Sequence, residues 1–368
     1  MSDIAPAWQP TVAVIGGGYG GIRVAKALDD VADVVLVEPK DAFVHNVAAL
    51  RALVDPAWLP RIFMAYDNLL ARGRVVRDRA ATVDSKRVVV GSGEEIAADY
   101  IVLATGSTYP FPGKTDATET EVAHERYRAS HRALADADRV LLVGAGPVGL
   151  ELAGEIKAVW PGKHVTIVDT ADDILAGPYM PELRAELRRQ LDELGVELLL
   201  GGALREAPPT EPGTAGTFTV TTATGTEITA DVWYRCYGTT PITGYLADDL
   251  TPARTPGQLI EVTPELRVLG QDTVFALGDI ITVGPPMAGY AGRQAEIVAG
   301  NIRALITGEG EVQAYEPMPP VIVVPLGPER GAGQLPGQDG VVDSSVIADI
   351  KGRGLLVGPL AEILGIAG

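Results

Sequence analysis

The chain has 368 residues and a formal net charge of −18 at pH 7, from 30 lysines and arginines against 48 aspartates and glutamates. A chain of this length can bury two or three domain cores. The strong negative charge argues against a nucleic-acid partner and against electrostatic docking on anionic lipid.

The cysteine and histidine counts limit the chemistry further. The one cysteine, Cys236, excludes a redox-active CxxC pair and any disulfide within the chain. The four histidines show no metal-ligand spacing, so we predict no metal site. The first residues show no secretory signal pattern and no myristoylation glycine, and no apolar run approaches the roughly 20 residues of a membrane-spanning helix. We therefore expect a cytoplasmic protein.

The first 40 residues predict a β–α–β unit with a strand at 11–16, a helix at about 19–30 and a strand at 34–38. The run GGGYGG at 16–21 lies where the first strand turns into the helix. Glycines at this turn allow a tight bend and let a pyrophosphate approach the backbone and the helix N-terminus. Glu38 follows 22 residues after the first of these glycines, where its carboxylate is placed to hold a ribose diol.

The next segment predicts short strands around 74–77, 80–84 and 86–90, which we interpret as an antiparallel meander. An apolar strand at 100–104 then stops at a Thr-Gly pair. A buried parallel strand that ends at glycine is typical of a ligand-binding edge.

A second β–α–β unit repeats the first, with a strand at 139–143, a helix at 147–159 and a strand at 164–169. The run GAGPVG at 144–149 occupies the corresponding turn. One glycine fingerprint is weak evidence, but two in the same strand–turn–helix context indicate two dinucleotides in one protein. Two dinucleotides side by side imply electron transfer between them.

Acidic side chains near the second turn suggest which coenzyme it takes. Asp169 lies 25 residues after Gly144, and two more acidic residues, Asp172 and Asp173, follow it. An acid at this position favours the 2′-hydroxyl of NADH over the 2′-phosphate of NADPH. Glu151, in the first turns of the helix, is either an acid favoured by the helix dipole or a residue near the nicotinamide.

The remaining sequence predicts a helix at 181–194 and a strand at 196–200, followed by short strands between 217 and 236. An apolar strand at 273–277 then ends at Gly278 and Asp279 before a long helix. The aspartate is placed to bond a ribityl or pyrophosphate-side hydroxyl of a flavin.

The predicted fold class is α/β, with two Rossmann-like dinucleotide-binding domains, the second inserted in the first, and a small C-terminal α+β domain. The first domain would comprise residues 1–112 and 236–312, and the inserted domain residues 113–235. Residues 313–368 would form the C-terminal domain.

Four further runs carry a family resemblance: DAFVHNVAALRA at 41–52, ATGSTYPFPGK at 104–114, VFALGD at 274–279 and QAY at 313–315. With the glycine fingerprints, they resemble the two-dinucleotide flavoproteins, and within these the ferroptosis suppressor branch of apoptosis-inducing-factor-like quinone reductases. The resemblance covers nearly the whole chain and loosens after residue 320. The HNVAALRA run is its most specific part.

The resemblance implies FAD on the first fold and NADH, or possibly NADPH, on the second. A hydride would pass from the nicotinamide to the flavin, and electrons would continue to a quinone or to oxygen. The candidate cofactor-binding residues are Gly16, Gly18, Gly21, Glu38, Asn46, Arg51, Thr105, Gly106, Asp279, Gly144, Gly146, Gly149 and Asp169. The candidate catalytic residues are Glu151, His45 and Lys114.

Some features depart from the family or leave alternatives open. Gly289 stands where relatives often have an aromatic residue, which suggests a more open acceptor pocket. The apolar positions Leu360, Ile363 and Leu364 suit a helix face that packs on its own domain, forms a homodimer or touches a membrane shallowly. Lys351 is one of only two cations nearby, too few for a polybasic anchor, so any membrane contact would be peripheral.

Two other functions stay open. A reductase of a ferredoxin- or rubredoxin-type carrier would dock an acidic protein, which the charge of −18 disfavours. An NADH-responsive flavoprotein with a signalling or scaffold role would show slow turnover and a change of size.

Overall fold

The computed structural model describes residues 9–366. The first eight residues, on which the expected lack of a targeting signal rests, lie outside this range. The strands, in chain order, are β1 (Thr11–Ile15), β2 (Asp33–Val37), β3 (Ala42–Val44), β4 (Phe63–Ala65), β5 (Arg74–Val76), β6 (Ala80–Val83), β7 (Arg87–Val90), β8 (Glu95–Ala97), β9 (Tyr100–Leu103), β10 (Ser107–Thr108), β11 (Arg139–Val143), β12 (His164–Val168), β13 (Val196–Leu199), β14 (Phe218–Thr221), β15 (Glu227–Ala230), β16 (Val232–Arg235), β17 (Thr240–Pro241), β18 (Val274–Ala276), β19 (Ile322–Pro325) and β20 (Gly331–Gln334).

The helices lie between these strands and along the C-terminal tail. In chain order they are α1 (Gly21–Leu28), α2 (Ala49–Val54), α3 (Leu59–Ile62), α4 (Thr120–Asp136), α5 (Pro147–Val159), α6 (Pro181–Glu193), α7 (Ala288–Thr307), α8 (Ser344–Ile347) and α9 (Val357–Ile363). A π-helical turn, Ala348–Gly352, continues directly from α8.

Two parallel sheets organise the molecule. The first has the strand order β18-β9-β1-β2-β5, and the second has the order β13-β12-β11-β16. Their central strands are buried on both faces, which explains why the sequence shows unbroken apolar runs there instead of alternation. Helices pack on these sheets, and the predicted α/β fold with two Rossmann-like units is confirmed.

Several predicted elements differ in the structure. The strand predicted near 74–77 is present as β5, but it pairs in parallel with β2 at the edge of the first sheet, so its predicted place in the antiparallel meander was wrong. The meander instead consists of β6, β7 and β8. Helix α4 was not predicted, because it is mostly polar and buries only four residues at helical spacing.

The C-terminal tail contributes side chains to both cores. Ile322, Val324 and Leu326 join the core beneath the second sheet. Leu360 and Leu364 join the core of the first sheet, and both are nearly inaccessible to solvent. The apolar face of α9 is therefore covered by the chain itself.

The C-terminal hairpin β19–β20 packs on α5 through a backbone-to-backbone contact at Gly154. A Cβ atom at this position would lie 2.3 Å from the Cα of Leu326 and 2.7 Å from the amide nitrogen of Gly327. No side chain can rotate to relieve these clashes, because the neighbouring atoms belong to the main chain.

We predict that Gly154→Ala destabilises the protein by about 1–3 kcal/mol, the usual range for overpacking a well-packed contact. Gly162→Ala is the matched control, since a Cβ there meets nothing within 4 Å. Urea unfolding monitored by circular dichroism measures both variants. Equal midpoints for the two would contradict the proposed close approach.

Candidate functional site

The first glycine turn joins β1 to α1 and is shaped by the protein's own backbone at two of its glycines. Gly16 has φ +105°, and a Cβ on it would lie 2.5 Å from the carbonyl oxygen of Ala104. A Cβ on Gly21 would lie 1.8 Å from the carbonyl oxygen of Gly16. At Gly18, by contrast, a Cβ would meet nothing within 4 Å.

The second glycine turn, between β11 and α5, shows the same division. Gly144 has φ +118°, and its Cβ would lie 2.7 Å from the carbonyl oxygen of Cys236. A Cβ on Gly149 would lie 1.9 Å from the carbonyl oxygen of Gly144. Gly146 again faces open space.

Packing within the protein therefore requires glycine at the first and last fingerprint positions, Gly16 and Gly21 or Gly144 and Gly149. It does not require glycine at the middle position, Gly18 or Gly146. A glycine whose Cβ would contact no protein atom leaves room for a ligand against the backbone. Each turn also opens a helix, whose first N–H groups lack partners within the helix and attract phosphate. Both turns fit the pyrophosphate of a dinucleotide.

An acidic residue lies beside each turn. Glu38, after β2, accepts a hydrogen bond from the Gly17 amide at 2.7 Å through Oε2 and another from the Lys40 amide at 3.0 Å through Oε1. Asp169, after β12, accepts from the Ala145 amide at 2.6 Å and from the Ala171 amide at 2.9 Å. Each carboxylate is thus fixed at the strand end next to its turn.

Asp279, after β18, forms a small polar cluster at the edge of the first sheet. The Ser107 hydroxyl donates to Asp279 Oδ2 at 2.6 Å, and Lys114 Nζ lies 3.2 Å from the same oxygen. Lys114 also donates to the Ser107 carbonyl at 2.8 Å. The sequence analysis assigned Asp279 to cofactor binding and Lys114 to catalysis, and the structure brings the two side chains together.

Thr105 and Gly106 lie at the carboxyl end of β9, next to the first turn. The Thr105 hydroxyl donates to the Ile242 carbonyl at 2.6 Å and lies 3.0 Å from the Tyr245 hydroxyl. The Gly106 carbonyl accepts from the Ile242 amide at 2.9 Å. Both residues thus hold the strand end to the segment that follows β17.

His45 is fully buried, and both of its ring nitrogens have partners. Nε2 lies 2.6 Å from the Leu355 carbonyl, and Nδ1 lies 2.9 Å from the Tyr19 hydroxyl. Burial lowers the pKa of the imidazole to about 4. The ring is therefore neutral at physiological pH. Asn46 follows it and begins a short 3₁₀ turn that leads into α2.

Arg51 on α2 forms a buried, bidentate ion pair with Glu155 on α5. Its Nη2 lies 2.7 Å from Glu155 Oε1, and its Nε contacts the other carboxylate oxygen. Nη2 also donates to the Gly352 carbonyl at 2.9 Å. Arg51 thus connects α2 to α5 and to the C-terminal tail.

Glu151 lies one turn before Glu155 on the same face of α5 and pairs with Lys351. Lys351 Nζ lies 2.8 Å from Glu151 Oε1 and donates to the Val323 carbonyl at 3.3 Å. Burial raises the pKa of the Glu151 carboxyl, and the Lys351 ammonium opposes that shift. Sequence reasoning considered Lys351 only as a surface cation, because no local pattern marks a partner 200 residues away.

Comparison with known proteins decides the family. The profile described as "Pyridine nucleotide-disulphide oxidoreductase" matches residues 10–295. The chain belongs to this family. It is 31% identical over 354 residues to ferroptosis suppressor protein 1 of Taeniopygia guttata, covering 94% of this chain and 93% of that protein. It is 32% identical over 337 residues to ferroptosis suppressor protein 1 of Homo sapiens, covering 89% and 88%.

A solved structure shares the fold. The sulfide:quinone oxidoreductase of Aquifex aeolicus matches with a TM-score of 0.73 at 17% identity, covering 97% of this chain and 92% of that one. The predicted enzyme class, an FAD-dependent oxidoreductase that uses NAD(P)H, is confirmed. The disulphide of the family's name has no counterpart here, because the chain has a single cysteine. That cysteine, Cys236, is buried, and burial raises the pKa of its thiol to about 12.

Residues 9–366 include no helix with the length and apolar character of a membrane span. They also contain no cluster of three or more His, Cys, Asp or Glu side chains arranged to hold a metal ion.

We predict that Gly18→Ala leaves the fold intact but weakens FAD binding by at least about tenfold, or about 1.4 kcal/mol, because its methyl group occupies the space left for the pyrophosphate. The flavin-to-protein absorbance ratio after dialysis, and titration of the stripped protein with FAD, measure this. Gly162→Ala again controls for an added methyl group. Full flavin content in Gly18→Ala would argue against this turn as the flavin site.

Proposed function

We propose that the enzyme passes reducing equivalents from NADH to a quinone-type small molecule. Two glycine turns, each with an open middle position, carry the proposal, since they provide for two dinucleotides. The resemblance of the HNVAALRA run at 45–52 to the quinone reductases of the ferroptosis suppressor branch supports the acceptor. The lone, buried Cys236 supports a diffusible acceptor over a protein thiol.

FAD, when bound, accepts a hydride from the nicotinamide and passes the electrons onward. We assign Gly18 to its pyrophosphate and Glu38 to its adenosine ribose. Asp279, with Lys114 beside it, would bond hydroxyl groups toward the flavin end. These roles agree with the position of each group at the carboxyl end of a parallel strand, where such sheets bind ligands.

We assign NADH to the second turn, with Gly146 at its pyrophosphate and Asp169 at its adenosine ribose. Two nearby arginines are already engaged: Arg188 pairs with Asp173 at 2.7 Å, and Arg184 donates to the Gly177 carbonyl at 2.6 Å. Neither is therefore free to bind the 2′-phosphate of NADPH without losing these contacts. This supports a preference for NADH.

Glu151 is proposed to lie next to the nicotinamide, because it is in the second turn of the helix that follows Gly146. Lys351, whose side chain is 15% exposed, pairs with it and offsets part of the cost of removing the carboxylate from water. Lys351 is therefore proposed as a positioning residue for Glu151. His45, with both nitrogens occupied, is better suited to holding other groups than to exchanging protons.

We predict that the wild-type enzyme has a higher kcat/KM for NADH than for NADPH, and that Asp169→Ala reduces this preference by at least about tenfold, or about 1.4 kcal/mol. Removing the carboxylate removes both a ribose contact and a charge that repels the 2′-phosphate. Asp192→Ala, on the exposed surface of α6, serves as the control. A wild-type preference for NADPH would contradict the assignment.

The acceptor is tested by steady-state NADH oxidation with a short-chain ubiquinone, menadione, oxygen and a ferredoxin-type carrier. We expect the quinones to give the highest turnover, with oxygen slower. Turnover with the carrier alone would instead identify a carrier reductase. Flavin reduction without turnover, together with a change of size on a column, would identify the signalling or scaffold role.

A further inference from the structure

We infer that His45 is a positioning residue that acts through the C-terminal tail: its bond to the Leu355 carbonyl fixes the turn that places Lys351 against Glu151. The inference rests on the proposed role of Glu151 near the nicotinamide. It gives a buried, neutral histidine a role that requires no contact with either nucleotide.

The hydrogen bonds determine which ring nitrogen carries the proton. A carbonyl oxygen can only accept, so Nε2 must donate to Leu355, at 2.6 Å. Nδ1 then has a free lone pair and accepts from the Tyr19 hydroxyl at 2.9 Å. The same hydroxyl accepts from the Val47 amide at 3.0 Å. Tyr19 therefore holds His45 in the tautomer that can bond the tail.

The hydrogen bond from His45 stabilises residues 355–356, whose backbone conformation is unfavourable. Leu355 and Leu356 have φ values of 47° and 60°, a left-handed conformation that residues with side chains rarely adopt. The Leu355 side chain is buried in the core beneath the second sheet. A donor aimed at the Leu355 carbonyl satisfies a buried acceptor at the point where the backbone is least favourable.

The restrained turn leads directly to Lys351. The Leu355 amide donates to the Lys351 carbonyl at 2.8 Å, and Lys351 Nζ lies 2.8 Å from Glu151 Oε1. A chain of direct contacts thus runs from Tyr19, inside the first glycine turn, to Glu151, on the helix of the second. Displacing the turn would displace Lys351 and leave the Glu151 carboxylate without its partner.

A second contact from the same segment supports this reading. Arg51 Nη2 donates to the Gly352 carbonyl at 2.9 Å, so the run at 45–51 holds the 351–355 turn at two points. Arg51 is a poor probe, because its replacement would also leave Glu155 buried without its partner. His45 is the cleaner probe, since its change removes no charge at neutral pH.

Two substitutions separate the two hydrogen bonds of His45. The side-chain amide of His45→Asn can take the place of Nδ1 and keep the contact with Tyr19, but it cannot reach Leu355. The amide of His45→Gln can take the place of Nε2 and donate to the Leu355 carbonyl. Both variants are compared with wild type as FAD-loaded protein, by anaerobic stopped-flow reduction with NADH and by hydrogen exchange.

For His45→Asn we expect a rate constant of flavin reduction at least about tenfold lower, since displacing a catalytic group by an ångström can cost up to about a hundredfold. We expect flavin content and NADH affinity close to wild type, and faster hydrogen exchange at residues 353–357. His45→Gln should restore most of the rate and of the exchange protection. Equal rate constants for the two variants would overturn the inference.

A double-mutant cycle with Lys351→Met covers the case in which His45→Asn is poorly folded. If His45 acts through Lys351, adding His45→Asn to Lys351→Met lowers the reduction rate constant no further. Independent, multiplicative losses would overturn the inference. The reduction step needs no quinone, so failure of the proposed acceptor is scored separately, in the turnover assay.

Discussion

Two ion pairs on one face of α5 join segments that lie 104 and 200 residues apart in the sequence. Glu151 pairs with Lys351 from the tail, and Glu155 pairs with Arg51 from α2. Moving a charge out of water is costly unless its partner is in place, so removal of either partner leaves a buried charge uncompensated. Helix α2, the second sheet and the tail must therefore assemble together for any of these charges to be tolerated.

The tail meets this requirement by packing against both cores. The hairpin β19–β20 meets α5 where Gly154 allows the two backbones to touch, and that contact brings the following turn within reach of Glu151. The apolar residues of α9 then close over the core of the first sheet. The tail thus contacts both nucleotide-binding units, and the position of Lys351 depends on both of those contacts.

The sequence predicted the parts of this structure that depend on local patterns. The bounds of α5, the strands of the two β–α–β units and both glycine turns follow from apolar periodicity and turn chemistry within about 30 residues. The edge strand β5 and the polar helix α4 were misread or missed, because a short edge strand and a mostly exposed helix carry little apolar signal. The candidate site residues were predicted from the sequence, but their partners were not. The partner of Glu151, for example, is Lys351, which lies 200 residues away.

The glycine turns and the ion pairs around Glu151 contribute to the proposed site in different ways. Each glycine turn and the acid beside it belong to one β–α–β unit, although distant backbone, at Ala104 and at Cys236, packs against the first glycine of each turn. The side chains around Glu151 come from three distant segments and are in register only in the complete fold. On the proposed assignments, the pyrophosphate and adenosine-ribose contacts lie within each β–α–β unit, whereas the position of Glu151 depends on the complete tertiary structure. The HNVAALRA run belongs with the ion pairs around Glu151, since His45 and Arg51 both contact the tail and neither lies in a glycine turn.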